Sequence, residues 1–188
     1  LSAASVQADD WKLVWSDEFD KAGMPDDSKW SYEEGFIRNR ESQYYTRARQ
    51  ENARVEDGVL VIEARKERFK NPRPGRRGPE FAEYTSASVN TKGKVAWCGG
   101  RIEVRAKLPT GRGMWPAIWM LGTNINQVGW PACGEIDIME NVGFDPMTVS
   151  AAVHTAAYNH TQGTQRSERV SVSSPAPWED FHVYAMEW

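Results

Sequence analysis

The sequence predicts an all-β fold. Short apolar or alternating runs recur along the 188 residues, separated by turn-forming Gly, Pro and Asn. No stretch holds the 3.6-residue period of an amphipathic helix over a convincing length, and no internal repeat or low-complexity block interrupts the series. Strand following strand without intervening helices is the pattern of a sandwich or a barrel, and the length suits one domain with a sizeable core.

Taken in order, residues 1–8 are small and uncharged and end in Val6-Gln7-Ala8, which fits the tail of a secretory signal or a frayed extension. Residues 9–188 are therefore read as the folded domain. Residues 11–15 alternate and predict a strand, followed by Asp17-Glu18-Phe19. The polar stretch 25–54 carries Asn39, whose amide offers both donor and acceptor and suits either a bound hydroxyl or a turn. Glu56-Asp57-Gly58 is a turn signal before an apolar strand over 59–64. From 65 to 77 the chain turns basic and is broken by Pro72, Pro74 and Gly75, which predicts a surface loop.

Strands are expected over 86–91, 100–109 and 114–121. In the last, Trp115, Ala117 and Trp119 share one parity. Pro116 is awkward inside a central ladder, so Trp115 is expected at the strand's start and Trp119 deeper, as a structural residue. Arg105 has the parity to face a cleft or to pair at the surface. Residues 149–155 predict a strand carrying His154, 158–174 a polar loop, and 181–188 a final alternating strand.

Composition narrows the function classes. Nine Trp, six Tyr and six Phe give more aromatic surface than a core of this size requires. A net charge of −3 offers nothing to nucleic acid or to an anionic membrane surface, and no run reaches the length of a transmembrane helix. Cys98 and Cys133 form no metal motif, and their spacing leaves pairing open.

The segment Glu135-Ile136-Asp137-Ile138-Met139-Glu140 carries the chemistry. In a regular strand Glu135 and Asp137 share a face and Glu140 points the other way. A β-bulge at Ile138-Met139 would restore Glu140 to the same face. The two glutamates would then lie about 13 Å apart along the strand, with side chains able to lean inward. Two carboxyls converging to about 5 Å is the spacing of a retaining glycosidase. Asp137, between them, could orient Glu135, and its charge would help hold a proton on Glu140.

Read from Trp130 to Glu140 as Trp-Pro-Ala-Cys-Gly-Glu-Ile-Asp-Ile-Met-Glu, the segment closely resembles the active-site strand of glycoside hydrolase family 16, in the bulged form of its laminarinase-like endo-β-1,3-glucanases. The likeness runs through nearly the whole chain from Trp11. It includes Asp17-Glu18-Phe19, the stretch around Asn39, the run Gly100 to Pro109 and the run Gly113 to Leu121. It implies a β-jelly-roll sandwich with a concave cleft. The implied activity is retaining endo-hydrolysis of β-1,3-glucan or mixed β-1,3/1,4-glucan, by a secreted or periplasmic protein whose partner is the polysaccharide. Glu135 would be the nucleophile, Glu140 the acid/base and Asp137 their companion. Asn39, Arg105, Trp115, Trp130 and His154 would contact sugar, His154 close to Glu140 on the leaving-group side. No catalytic cofactor is implied, but a structural calcium is, held by Glu18 and the backbone oxygen of Gly58 far from the acids.

Two other readings stay open. One is a hydrolase of a marine galactan such as agar, porphyran or carrageenan, supported by the basic run. The other is a non-catalytic β-glucan-binding module, against which the three acids count. Family members normally continue beyond Glu187-Trp188, so an incomplete jelly roll is expected, with its remaining strands in a longer product or in another chain; oligomeric state is open.

Overall fold

The computed structural model describes residues 11–75 and 78–188. The expected signal remnant at 1–8 lies outside the described residues. The chain divides into two compact units after Ala96, and both are built from strands. Among the described residues no helix is long and apolar enough to cross a membrane.

The first unit contains β1 (Ser31–Tyr32), β2 (Gln43–Tyr45), β3 (Ala53–Glu56), β4 (Val59–Ile62), β5 (Arg65–Lys70), β6 (Phe81–Ser86) and β7 (Val89–Asn90). β3 and β4 form a hairpin across Asp57-Gly58, both at positive φ. β2, β6 and β5 form a three-stranded sheet, and β1 pairs with β7.

Two expectations fail here. Residues 11–15 are not a strand: Trp11, Leu13 and Val14 are exposed. Alternation makes a strand only where a neighbouring ladder takes the backbone groups, and none of the described residues pairs with this segment. The expected basic loop instead begins as β5, antiparallel to β6. Three of its charged side chains have partners from other segments. Arg49 holds Glu67 through two guanidinium nitrogens, at 2.5 and 3.1 Å. Arg65 bonds Glu63, and the Arg68 guanidinium lies 3.3 Å from the centre of the Phe81 ring.

The second unit contains β8 (Arg101–Ala106), β9 (Ala117–Leu121), the one-turn helix α1 (Ile125–Val128), β10 (Glu135–Val142), β11 (Asp145–His154), β12 (Arg166–Ser171) and β13 (His182–Glu187). A four-stranded antiparallel sheet runs β12-β11-β10-β9, and β8 pairs with β13. Leu108, Ile138, Met139 and Tyr184 form the buried core between these two layers, flanked by Ile102, Ala106, Ile118, Met120, Ile136, Val149 and Met186. Apolar burial of this kind drives the layers together. β12 falls inside the stretch expected to be loop. All six of its residues are exposed, so it has no apolar face for a sequence pattern to reveal.

Candidate active site

The bulge in β10 sets up the site. Toward β9, Asp137 lies opposite Trp119 while Met139 lies opposite Ile118, so two steps on β10 match one on its neighbour. Toward β11, Asp137 pairs with Ala152 and Glu140 with Ser150. The partners 152 and 150 are two apart and share a face, so Asp137 and Glu140 share one as well. Ile138 and Met139 are both buried in the core. The two consecutive apolar side chains leave through the core side, and the acid row Glu135, Asp137, Glu140 stands on the other.

Each glutamate has a tryptophan beside it. Trp115 Nε1 donates to Glu140 Oε1 at 3.0 Å, and the Trp130 indole, packed on the His154 ring, lies where it lowers the Glu135 carboxyl. The backbone holds Trp115 in place. The Gly143 N–H donates to the Met114 carbonyl at 2.8 Å, and the Asn141 N–H to the Pro116 carbonyl at 3.2 Å. This approach requires glycine, since a Cβ on Gly143 would lie 1.7 Å from the Gly111 oxygen. β9 begins only after Pro116, at Ala117, as the missing N–H of proline dictates.

His154 lies opposite Glu135 on β11. Its Nε2 is 3.3 Å from Asp137 Oδ2 and 3.8 Å from Glu135 Oε1, and its buried Nδ1 has no hydrogen-bond partner among the described residues. Burial, then the charges of Glu135 and Glu140, push the Asp137 carboxyl up to about 7. Burial raises Glu135 too, opposed by His154 and by the Trp130 indole. Asp137 thus keeps its proton to near neutrality. This inverts the expectation that a charged Asp137 would hold a proton on Glu140.

Among the described residues, Glu135, Asp137 and His154 are the only three acid, His or Cys side chains gathered closely enough to share a metal ion. Two of them belong to the acid row, so an ion there would occupy the centre of the site. Glu18 is exposed, and Gly58 sits at the tip of the β3–β4 hairpin. Together they offer two of the six to eight oxygens that calcium takes.

The family model for glycosyl hydrolases family 16 matches residues 40–188. The chain belongs to that family. It is 55% identical to a β-glucanase of Rhodothermus marinus over 191 residues, covering 100% of this chain and 63% of the relative. It is 37% identical to a glucan endo-1,3-β-glucosidase of Cryptopygus antarcticus, over 95% of this chain and 63% of the relative. The solved laminarinase of R. marinus superposes with a TM-score of 0.84 at 54% identity, over 95% of this chain and 68% of that one. The fold class is thus the jelly-roll sandwich of family 16, and the chain spans about two thirds of these relatives.

The structure brings together Glu135, Asp137, Glu140, Trp115, Trp130 and His154. It places His154 beside Glu135 and Asp137 rather than beside Glu140. Arg105 belongs elsewhere: Ile102 and Ala106 on β8 turn to the core, and Arg105, of opposite parity, is exposed and stacks 4.1 Å over the Phe181 ring. Asn39 is exposed in a turn of the first unit at φ 54.

Three residues of the acid face escaped the sequence. Trp119, expected to be structural, lies opposite Asp137, because its neighbours Ile118 and Met120 take the core side. Arg169 reaches the same face from β12, opposite Ser150. His160, in the loop after β11, packs on Trp130 at 4.7 Å between ring centres. The parity of Ile118 and Met120 was a usable signal for Trp119; the other two depend on a strand and a loop with no apolar pattern.

Proposed function

We propose that the chain carries the catalytic face of a retaining endo-hydrolase of β-1,3-glucan or mixed β-1,3/1,4-glucan. The observation that carries this reading is the bulged acid row, with Glu140 held by the Trp115 indole N–H. Glu135 attacks the anomeric carbon as a carboxylate while Glu140 passes its proton to the departing glycosidic oxygen. Water then attacks the glycosyl ester, Glu140 takes its proton back, and Glu135 is released with the original configuration restored. Asp137, protonated near neutrality, places no third negative charge beside Glu135. Trp115, half exposed, offers one indole face to a sugar ring while its N–H stays on Glu140. Trp119 and Arg169 supply further aromatic and polar surface for the glucan.

The names of the relatives support a β-glucan over a galactan, and Arg65 and Arg68 of the basic run are occupied with partners of their own. A polymer of this size is met outside the cytoplasm, which supports a secreted or periplasmic protein. A structural calcium at Glu18 and Gly58 would complete its shell with further carbonyls and water. A rise in unfolding temperature on adding calcium, lost in Glu18→Gln, tests that site.

Product analysis on laminarin, lichenan and agarose, with proton NMR of the first product, tests the main reading. The expected result is oligosaccharides from laminarin and lichenan with an initial β-anomer. An initial α-anomer overturns the mechanism, cleavage of agarose alone overturns the substrate, and binding without cleavage makes the chain a recognition module.

A further inference from the structure

The loop after β11 is fixed in shape by one residue. Asn159 is fully buried. Its Nδ2 donates to the Thr155 carbonyl at 3.1 Å, and its Oδ1 accepts from Thr161 Oγ1 at 2.6 Å and from the Gln162 N–H at 3.2 Å. Its backbone closes on Thr164 in both directions: its N–H donates to Thr164 Oγ1 at 3.1 Å, and its carbonyl accepts the Thr164 N–H at 3.0 Å. A polar side chain buried without such partners would be costly, so the loop folds around it. The next residue, His160, is thereby set against the acid site. Its ring centre is 4.7 Å from that of Trp130, with the planes 32° apart, and 5.3 Å from that of His154 at 84°.

Trp130 needs such a neighbour. It lies in the turn between α1 and β10, outside every strand, so no ladder fixes its side chain. Its ring packs against those of His154 and His160, and of these His160 lies nearer and more nearly parallel. Ring pairs of this kind contribute on the scale that separates one side-chain rotamer from another. We propose that His160 is a positioning residue for the nucleophile: its imidazole is the surface against which the Trp130 indole stacks, and that stacking keeps the indole N–H aimed at Glu135. The inference rests on Glu135 being the nucleophile.

A double-mutant cycle on laminarin hydrolysis tests it. His160 is exposed, so truncation leaves the core intact. His160→Ala should lower kcat about tenfold, the scale of one charge-assisted hydrogen bond, with KM held within about twofold. His160→Phe, which keeps the ring and discards the nitrogens, should recover most of the loss. In a Trp130→Phe background, which keeps the stack but lacks the N–H, His160→Ala should cost nothing further. Parental kcat in His160→Ala, a full additional loss in the Trp130→Phe background, or no recovery with His160→Phe would each overturn the proposal. Glu135→Gln separates the two levels: if it stays active, the nucleophile reading itself fails, whereas an inactive Glu135→Gln beside a fully active His160→Ala removes only the role of His160.

Discussion

Replacing Asp137 by Asn should stabilise the protein, and only at high pH. Asp137 is buried, with a side-chain exposure of 7%, between two other carboxylates. Its carboxyl is raised from 3.8 to about 7, first by burial and then by Glu135 and Glu140. A carboxyl with a higher pKa folded than unfolded binds its proton more tightly in the folded state. Its contribution to stability is therefore full below about pH 4 and disappears as the pH climbs through about 7. Three units at about 1.36 kcal/mol each set a ceiling of about 4 kcal/mol on the stability lost between pH 4 and pH 8. Asn has the same shape and never ionises. Urea unfolding at pH 4 and pH 8 should show parent and variant nearly equal at the lower pH, with the variant ahead by about 2 to 4 kcal/mol at the higher. His154, 3.3 Å away, pulls the other way. If a charged His154 paired with a charged Asp137 outweighed burial, Asp137→Asn would be the less stable protein and the gap would not open with pH. That result would refute the reasoning.

Other substitutions follow from the same geometry. Glu135→Gln should reduce kcat by roughly a thousandfold or more while glucan binding persists, as equilibrium binding on laminarin would show. Glu140→Ala should recover activity in azide, which replaces the base-activated water in the second step, with a β-glycosyl azide as the diagnostic product. Trp115→Phe keeps the ring but removes the donor to Glu140; kcat should fall about tenfold with little change in KM, in steady-state assays. Gly143→Ala cannot be accommodated where its Cβ would sit 1.7 Å from the Gly111 oxygen. The loop carrying Trp115 must move, at a cost of about 1 to 3 kcal/mol in urea unfolding and with a parallel fall in kcat.

The bulge shows why one part of the site could be read in the sequence and another could not. Ile138 and Met139 are adjacent apolar residues between acids of conflicting parity, and both can be buried only if the strand breaks its alternation there. That inference needs the chemistry of six residues and no tertiary information. The same rule, carried to the neighbouring strand, would have placed Trp119: with Ile118 and Met120 on the core side, the residue between them must face the acids, whatever its own hydrophobicity. Depth along the strand after Pro116 suggests a structural Trp119, and here parity decides against it. β5 and β12 are harder cases. Arg65, Glu67 and Arg68 of β5 are held by Glu63, Arg49 and Phe81, partners from other segments, and β12 exposes every residue while pairing with β11 along its backbone. Such strands owe their existence to a neighbour's unfilled ladder rather than to a pattern of their own. His160 is more remote still, since its position follows from the buried bonds of Asn159, which become visible only when the loop has closed around that side chain. Residues that face a sheet's own core or its opposite side are thus legible from alternation. Residues brought to the site by polar loops and edge strands become legible only through the hydrogen bonds of the folded chain.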